Sequence, residues 1–435
     1  MRVKELVVFR CDKGEYGLIG DMSDIMDRCV ASLTAKERSN VTTRLYECIN
    51  RLIEFGAGHG FSGNLWHHYL STFLVNSENS YSKSCEIVGR IDGTICDAVL
   101  HDMKILMELY DYDLLTLKST LGVGSIDYVI SYKASGQESR VYNERIRGRI
   151  CELTDAMEQA HDPEQMLVSL TDFYRDYGVG RFGLHKAFRV VPGEDNKACI
   201  VPILKIAHVK LDDLVGYETA KHMLTENTDA FVAGRRANNC LLYGDAGTGK
   251  SSSIKAIANE YFDRGLRVIE IYKHQFEYLG DVIAQVKDRN YKFIIYMDDL
   301  SFEDFEIEYK YLKAVIEGDL EKKPRNVLIY ATSNRRHLIN EKFSEREDSV
   351  HAADTMQEKF SLAARFGCSI YFGAPDKKEF QHIVKVLADR NGIDMDEEEL
   401  LSEANKWELY HGGMTGRSAQ QFIDHLCGKS GQTGA

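Results

Sequence analysis

Hydrophobic positions divide the chain into two regimes. From about Asp21 to Asp176 they recur at helical spacing. Ile95, Val99, Met103, Leu106 and Tyr110 follow one another at intervals of four, four, three and four, which holds them on one face of a helix. Trp66, Tyr69, Leu70, Phe73 and Leu74 form a similar stripe. Such stripes are the buried faces of packed helices rather than ligand-binding surfaces. His67 and His68 are adjacent, so on a helix they point about 100° apart and cannot pair on a metal ion.

After Leu211 the period shortens. Apolar runs at Asn239 to Tyr243, Leu266 to Tyr272, Lys292 to Met297, Asn326 to Ala331 and Cys368 to Phe372 alternate with helical segments. That alternation predicts a parallel sheet covered by helices on both faces. Between the two regimes, Arg181 to Val190 and Ala198 to Ile206 flank Pro192-Gly193-Glu194-Asp195-Asn196 and are predicted to pair as a hairpin joining the halves. The last sixty or so residues revert to helices. Asp376 with Glu379 three positions on forms an Asp-type capping box, and Phe380, Ile383, Val384 and Leu387 follow as the buried stripe. No internal repeat or low-complexity run is evident. The expected plan is a mainly helical domain over 1–205 ending in the hairpin, an α/β core with a five-stranded parallel sheet over 206–374, and a small helical lid over 375–435.

Composition narrows the class. A chain of 435 residues with 44% hydrophobic and 28% charged residues has the balance of a soluble globular protein of two or three domains. Five prolines exclude extended polyproline linkers. A formal net charge of -13 argues against broad adhesion to nucleic acid or anionic membrane. The longest uncharged stretch, Phe55 to Ser77, holds three histidines and two asparagines and is too polar to span a bilayer. The first sixteen residues lack the apolar segment of a signal peptide. Ten cysteines are scattered singly without a C-x-x-C pair, which removes the usual zinc pattern and suits reduced thiols in the cytoplasm.

The sharpest chemical signal is Gly244-Asp245-Ala246-Gly247-Thr248-Gly249-Lys250-Ser251, a full G-x-x-x-x-G-K-[ST] match of the Walker A type. An apolar strand leads into it and a helix beginning at Ser252 leads out. Glycines let the backbone curl so that successive N–H groups face a phosphate, and the helix N-terminus adds partial positive charge. Lys250 is suited to β- and γ-phosphates and Ser251 to Mg²⁺. About fifty residues downstream, Phe293-Ile294-Ile295-Tyr296-Met297-Asp298-Asp299 reads as a hydrophobic strand ending in two carboxylates, the Walker B counterpart. Asp298 is the candidate metal partner and Asp299 the candidate for polarising an attacking water. The alternative for either is a cap on the following helix.

With these elements in place the chain resembles the AAA+ ATPases. Thr332-Ser333-Asn334 looks like sensor 1, which makes Asn334 a candidate for orienting the lytic water. Ala364-Arg365-Phe366-Gly367 lies where that superfamily carries an arginine finger acting on a neighbouring subunit. Arg335 and Arg336 are its rivals, and surface ion pairs are the alternative for all three. Gly412-Gly413-Met414-Thr415-Gly416-Arg417-Ser418 looks like sensor 2, with Arg417 facing the nucleotide. Leu214-Val215-Gly216-Tyr217 resembles the segment that touches adenine. The resemblance therefore implies a nucleotide site of Gly244 to Ser251 with Ser252, Val215 and Gly216. Asn238 to Tyr243, Asp298 to Phe302 and Tyr330 to Leu338 narrow the likeness to the bacterial AAA+ group filed as domain of unknown function 815, over roughly residues 206 to 427.

This resemblance implies ATP and Mg²⁺ as ligands, a homo-oligomer, and ATP-driven remodelling of a partner engaged by the helical domain. Two other readings stand beside it: an ATP-dependent scaffold with negligible hydrolysis, and a small-molecule kinase sharing the phosphate loop. Nucleic acid is left open, since Arg335-Arg336-His337 and Arg145-Ile146-Arg147-Gly148-Arg149 are the only dense basic clusters. Position 299 is Asp where most AAA+ members carry Glu. The shorter side chain sits one methylene farther from a γ-phosphate and predicts slow turnover. Asp299→Glu is expected to keep or raise steady-state ATP hydrolysis, whereas Asp299→Asn lowers it and spares ATP binding. Hydrolysis by Asp299→Asn at the parent rate would remove Asp299 from the role of base.

Overall fold

A computed structural model describes residues 3–11, 16–30, 33–134, 139, 141–193, 197–301, 307–317, 324–334 and 365–430. Two compact units result, Met1–His185 and Lys186–Ala435.

The first unit is helical: α1 (Gly17–Val30), α2 (Ala35–His59), α3 (Leu65–Asn76), α4 (Ser80–Val88), α5 (Thr94–Tyr110), α6 (Leu115–Leu121), α7 (Asp127–Ile130), α8 (Glu144–Glu158), α9 (Pro163–Tyr177) and α10 (Gly180–Leu184). Starts are capped as the local residues dictate. Thr34 and Glu37 close a reciprocal capping box on α2, and Asp162 caps α9 ahead of Pro163. The α5 stripe is buried from Val99 to Tyr110, and α3 is buried on nearly every side. Polar groups inside this core are paired with one another. Ser71 joins the Tyr110 hydroxyl at 2.8 Å and accepts from Thr154 at 2.9 Å, and Tyr81 meets Thr171 at 2.6 Å. His67 and His68 have separate partners, Glu158 and Thr154.

Asp102, fully buried on α5, anchors the start of the chain. Its carboxylate accepts the backbone N–H groups of Val7 at 2.8 Å, Val8 at 2.7 Å and Phe9 at 2.9 Å. A charged acceptor saturated by three donors is how an acid is accommodated in an apolar core. The segment it fixes places Phe9 edge-on to Phe73.

The second unit carries one seven-stranded sheet among the described residues: β1 (Ala187–Pro192), β2 (Ala198–Pro202), β3 (Cys240–Gly244), β4 (Leu266–Glu270), β5 (Lys292–Met297), β6 (Val327–Ser333) and β7 (Cys368–Phe372), in the order β2-β1-β4-β5-β6-β3-β7. All neighbours are parallel except β1 and β2. Helices α11 (Glu218–Val232), α12 (Lys250–Glu260), α13 (Leu279–Val286) and α14 (Ile307–Glu317) flank it, and α15 (Lys377–Arg390), α16 (Glu397–Tyr410) and α17 (Gly416–Ser430) follow. The last three enclose their own apolar cluster around Phe380, Val384, Ala404 and Ile423. The Asp376–Glu379 capping box is present on α15.

Several expectations change. The hairpin does not close the helical domain. Its β1 pairs with β4, so the division between units falls at His185 rather than at 205, and the sheet has seven strands rather than five. The strand expected from Arg181 begins only at Ala187, because Gly180–Leu184 folds as the short helix α10 with Phe182 and Leu184 buried. The second hairpin strand stops at Pro202, and β4 ends at Glu270. Alternating apolar residues in short runs suit either period, and pairing partners decide. The hairpin turn residues Glu194 to Asn196 lie outside the described residues.

Asp102→Ala removes the acceptor of three backbone N–H groups, the buried one of Phe9 among them. Urea unfolding of the helical unit is expected to show a loss of about 3 kcal/mol, and an unchanged midpoint would assign the anchoring to apolar packing alone.

Candidate functional site

Because β3 lies between β6 and β7, the chain leaving β3 through α12 must return to β4, beyond β6 and β5. The crevice at the carboxyl ends of strands near such a reversal is where open α/β sheets hold ligands. Here it is a cleft of about 630 Å³.

The loop between β3 and α12 depends on its glycines. Gly244 has φ 138 and a side chain there would meet the Phe372 carbonyl oxygen of β7 at 2.0 Å. Gly247 and Gly249 have φ 77 and 91, a region open to glycine at little cost. Gly249 caps α12 without any side-chain bond, so the first N–H groups of that helix face the cleft rather than a cap. Thr248 donates to the Asp245 carbonyl at 2.8 Å and braces the turn. The Lys250 ammonium donates to the carbonyls of Gly244 at 3.0 Å and Asp245 at 2.5 Å. Burial holds its pKa below the ordinary lysine value, against the pull of Asp245, Asp299 and Asp298.

The acidic pair follows β5. Asp298 Oδ1 accepts three hydroxyls: Ser251 at 2.8 Å, Tyr296 at 2.6 Å and Thr332 at 2.6 Å. Partial burial works to raise its pKa, but the three hydroxyl bonds outweigh burial and hold the carboxyl below its ordinary value. Tyr296 is pushed upward, by burial first and then by Asp298. Asp299 has φ 50, rare for a residue with a side chain. Its N–H donates to Thr332 Oγ1 at 3.0 Å, and its Oδ1 accepts the Asn334 amide at 2.9 Å.

The lid closes a second wall. Arg417 N–H donates to the Gly247 carbonyl at 3.1 Å, and a Cβ on Gly247 would meet Thr415 Oγ1 at 3.1 Å and Arg417 Cβ at 3.2 Å. Val215 packs on the lid's apolar cluster. Tyr217, held at φ 60, lays its ring against Phe372 with centroids 5.5 Å apart, and burial pushes its phenol up to about 12.

Of the residues singled out from sequence, Val215, Ala246 to Ser252, Asp298, Asp299, Asn334 and Arg417 line this one cleft. Gly216, Gly244 and Asp245 support it from behind. The Asp245 carboxylate accepts the Ala374 N–H at 2.7 Å, and Gly216 takes φ 83 ahead of α11. Arg365 sits just before β7, outside the lining, whereas Arg335 and Arg336 lie outside the described residues. Sequence reasoning placed Thr332, Tyr296 and Tyr217 inside its motifs but gave none of them a role of its own. Tyr296 was legible in principle, being two residues before Asp298 and so on the same face of the strand. Thr332 was not, since its place beside Asp298 follows from the Met297–Ala331 register of β5 against β6.

Chemically, the site offers N–H groups and an ammonium for an anion, a hydroxyl and a carboxylate for a hard cation, and a second carboxylate steadied by an amide. A family model described as a protein of unknown function (DUF815) matches residues 184–430. The replication factor C large subunit of Staphylothermus marinus is 33% identical over 81 residues, which is 18% of this chain and 18% of that relative. Two solved point mutants of Thermotoga maritima RuvB align with TM-scores of 0.37 and 0.36. Their identities are 16% and 17%, and the alignments cover 51% of this chain and 67% and 66% of theirs.

Gly244→Ala places a methyl group against the backbone of β7. The expected cost is about 1–3 kcal/mol, read as a lowered thermal midpoint of the second unit, and an unshifted midpoint would mean that β7 yields freely.

Proposed function

The chain belongs to the DUF815 family of proteins of unknown function, and from that premise we propose that it is an ATP-binding AAA+ protein that hydrolyses ATP slowly with Mg²⁺ to remodel a partner. The observation that carries this reading is the bond between Ser251, on the phosphate-type loop, and Asp298 Oδ1 at 2.8 Å. It joins the two halves of a phosphoryl-transfer site across the cleft.

Each residue has a task in this reading. The loop amides and Lys250 bind the triphosphate, and Val215 with Gly216 borders the base. The oxygen-only pair Ser251 and Asp298 suits a hard divalent cation. When bound, Mg²⁺ supplies charge neutralisation on the β- and γ-phosphate oxygens. Asp299 accepts a proton from the attacking water, and Asn334 orients that water and the carboxylate together. Arg417 brings positive charge from the lid, and Arg365 supplies it to a neighbouring subunit's site. The protein then acts as a homo-oligomer, with the helical unit engaging an unidentified protein client in the cytoplasm. Among the described residues no helix is long and apolar enough to cross a membrane. A change of order around the γ-phosphate, transmitted through the Arg417–Gly247 contact, would turn the lid against the core.

A second reading, an ATP-bound scaffold, is favoured by one feature. The Asp299 carboxylate is already engaged by Asn334, which weakens it as a base. Steady-state ATP hydrolysis per protomer, measured across a wide range of protein concentration with Lys250→Ala as the blank, separates the two. Specific activity is expected to rise and saturate with concentration, and Arg365→Ala to remove the rise. A flat but measurable rate would sink the intersubunit arginine. A rate at the blank would leave the scaffold.

A further inference from the structure

We propose that Thr332 is the positioning residue that sets both carboxylates of the site, Asp298 through its side chain and Asp299 through its backbone. The proposal rests on the reading of Asp298 and Asp299 given above. It adds a residue to which no part of that reading assigns a role.

A threonine hydroxyl has one proton to give and two lone pairs to receive with. Thr332 is buried and uses both capacities on the same turn. It donates to Asp298 Oδ1 at 2.6 Å and accepts the Asp299 N–H at 3.0 Å. The two bonds have opposite polarity and use different parts of the hydroxyl, its proton and a lone pair, so one group serves both. Valine would fill the same space in a central strand and suit it at least as well, yet it could form neither bond.

Asp299 needs such a holder. Its φ of 50 lies in the left-handed region, where a side chain is strained unless its surroundings over-determine it. Strand β5 ends at Met297, and beyond it the ladder to β6 is replaced by side-chain and turn bonds. Leu300 N–H donates to the Thr332 carbonyl at 2.7 Å, and Ser333 Oγ donates to the Leu300 carbonyl at 2.8 Å. Residues 332 and 334 share one face of the strand end. Thr332 holds the backbone of Asp299, and the Asn334 amide holds its carboxylate at 2.9 Å. Tyr296 is the natural contrast. It too donates to Asp298 Oδ1, at 2.6 Å, but makes no bond to Asp299.

The test compares Thr332→Val, Thr332→Ser and Tyr296→Phe in the full chain, with kcat and KM for Mg-ATP as readouts. Thr332→Val is expected to lower kcat about 10- to 100-fold through misplacement of Asp299, with KM within about twofold. Thr332→Ser restores the hydroxyl and should recover most of the rate, while Tyr296→Phe costs less than Thr332→Val. On an Asp299→Asn background, Thr332→Val should cost clearly less than it does in the parent, since its share through Asp299 is already gone and only the share through Asp298 remains. Parental kcat in Thr332→Val overturns the proposal. So does a serine variant as slow as the valine one, a Tyr296→Phe loss equal to that of Thr332→Val, or full additivity with Asp299→Asn. Should Thr332→Val fail to fold, Thr332→Ala takes its place under the same criteria.

A crystal structure of the same variant reads the geometry without turnover, and it decides the matter if the parent sits at the Lys250→Ala blank. Asp299 displaced from positive φ supports the proposal, and Asp299 unmoved with its carboxylate still on Asn334 overturns it. Should Asp299→Asn hydrolyse ATP at the parent rate, the base assignment fails on its own, and that crystal structure still answers for Thr332.

Discussion

One carboxylate oxygen holds the second unit's site together. Asp298 Oδ1 receives hydroxyls from the first turn of α12, from β5 itself and from β6. Those donors come from positions 251, 296 and 332, on the start of α12, on β5 and on the neighbouring strand β6. Charge-assisted bonds of this kind are about twice as strong as neutral ones. Their sum outweighs the burial that would otherwise favour the neutral acid. That oxygen ties the phosphate-type loop, the acidic turn and the end of β6 to one another.

The walls of the cleft come from close backbone approach rather than from large side chains. Gly244 lets β7 pass against the loop, and Gly247 lets the start of α17 settle on it. A single added carbon would collide with the backbone of β7 at Gly244 and would press on Thr415 and Arg417 at Gly247. The lid has its own apolar cluster, to which Val215 from the segment before α11 contributes. The cleft is therefore bounded by two small cores that meet through Val215 and the Arg417–Gly247 bond. Each wall thus has packing of its own.

Much of this was legible beforehand, and the reasons differ by element. Strand β5 fell where its apolar run put it, because a strand buried on both faces needs a continuous run with abrupt ends. The edge strand β7 fell where apolar residues alternate, with Ile370 and Phe372 buried and Tyr371 exposed. The lid's first helix was equally plain, since its capping box and stripe are local features. The hairpin was read correctly as antiparallel but attached to the wrong unit. Local alternation says that two strands pair with each other and is silent on a third partner, and only β4 supplied it. Thr332 was passed over for a similar reason, as its hydroxyl matters through the strand next to it.

Sequence alone determined the loop chemistry. Glycine spacing, a lysine, a hydroxyl and two acids after an apolar strand are short-range patterns, and backbone sterics and charge act on them within a few residues. Tertiary structure decided which atoms these groups face. The order β5-β6-β3 brings Asp298, Thr332 and Ser251 within hydrogen-bond distance, and the bonds made there hold Asp299 in a conformation that its own residue type disfavours. Strand order is settled by burial summed over the whole unit, so it leaves no mark at any one position.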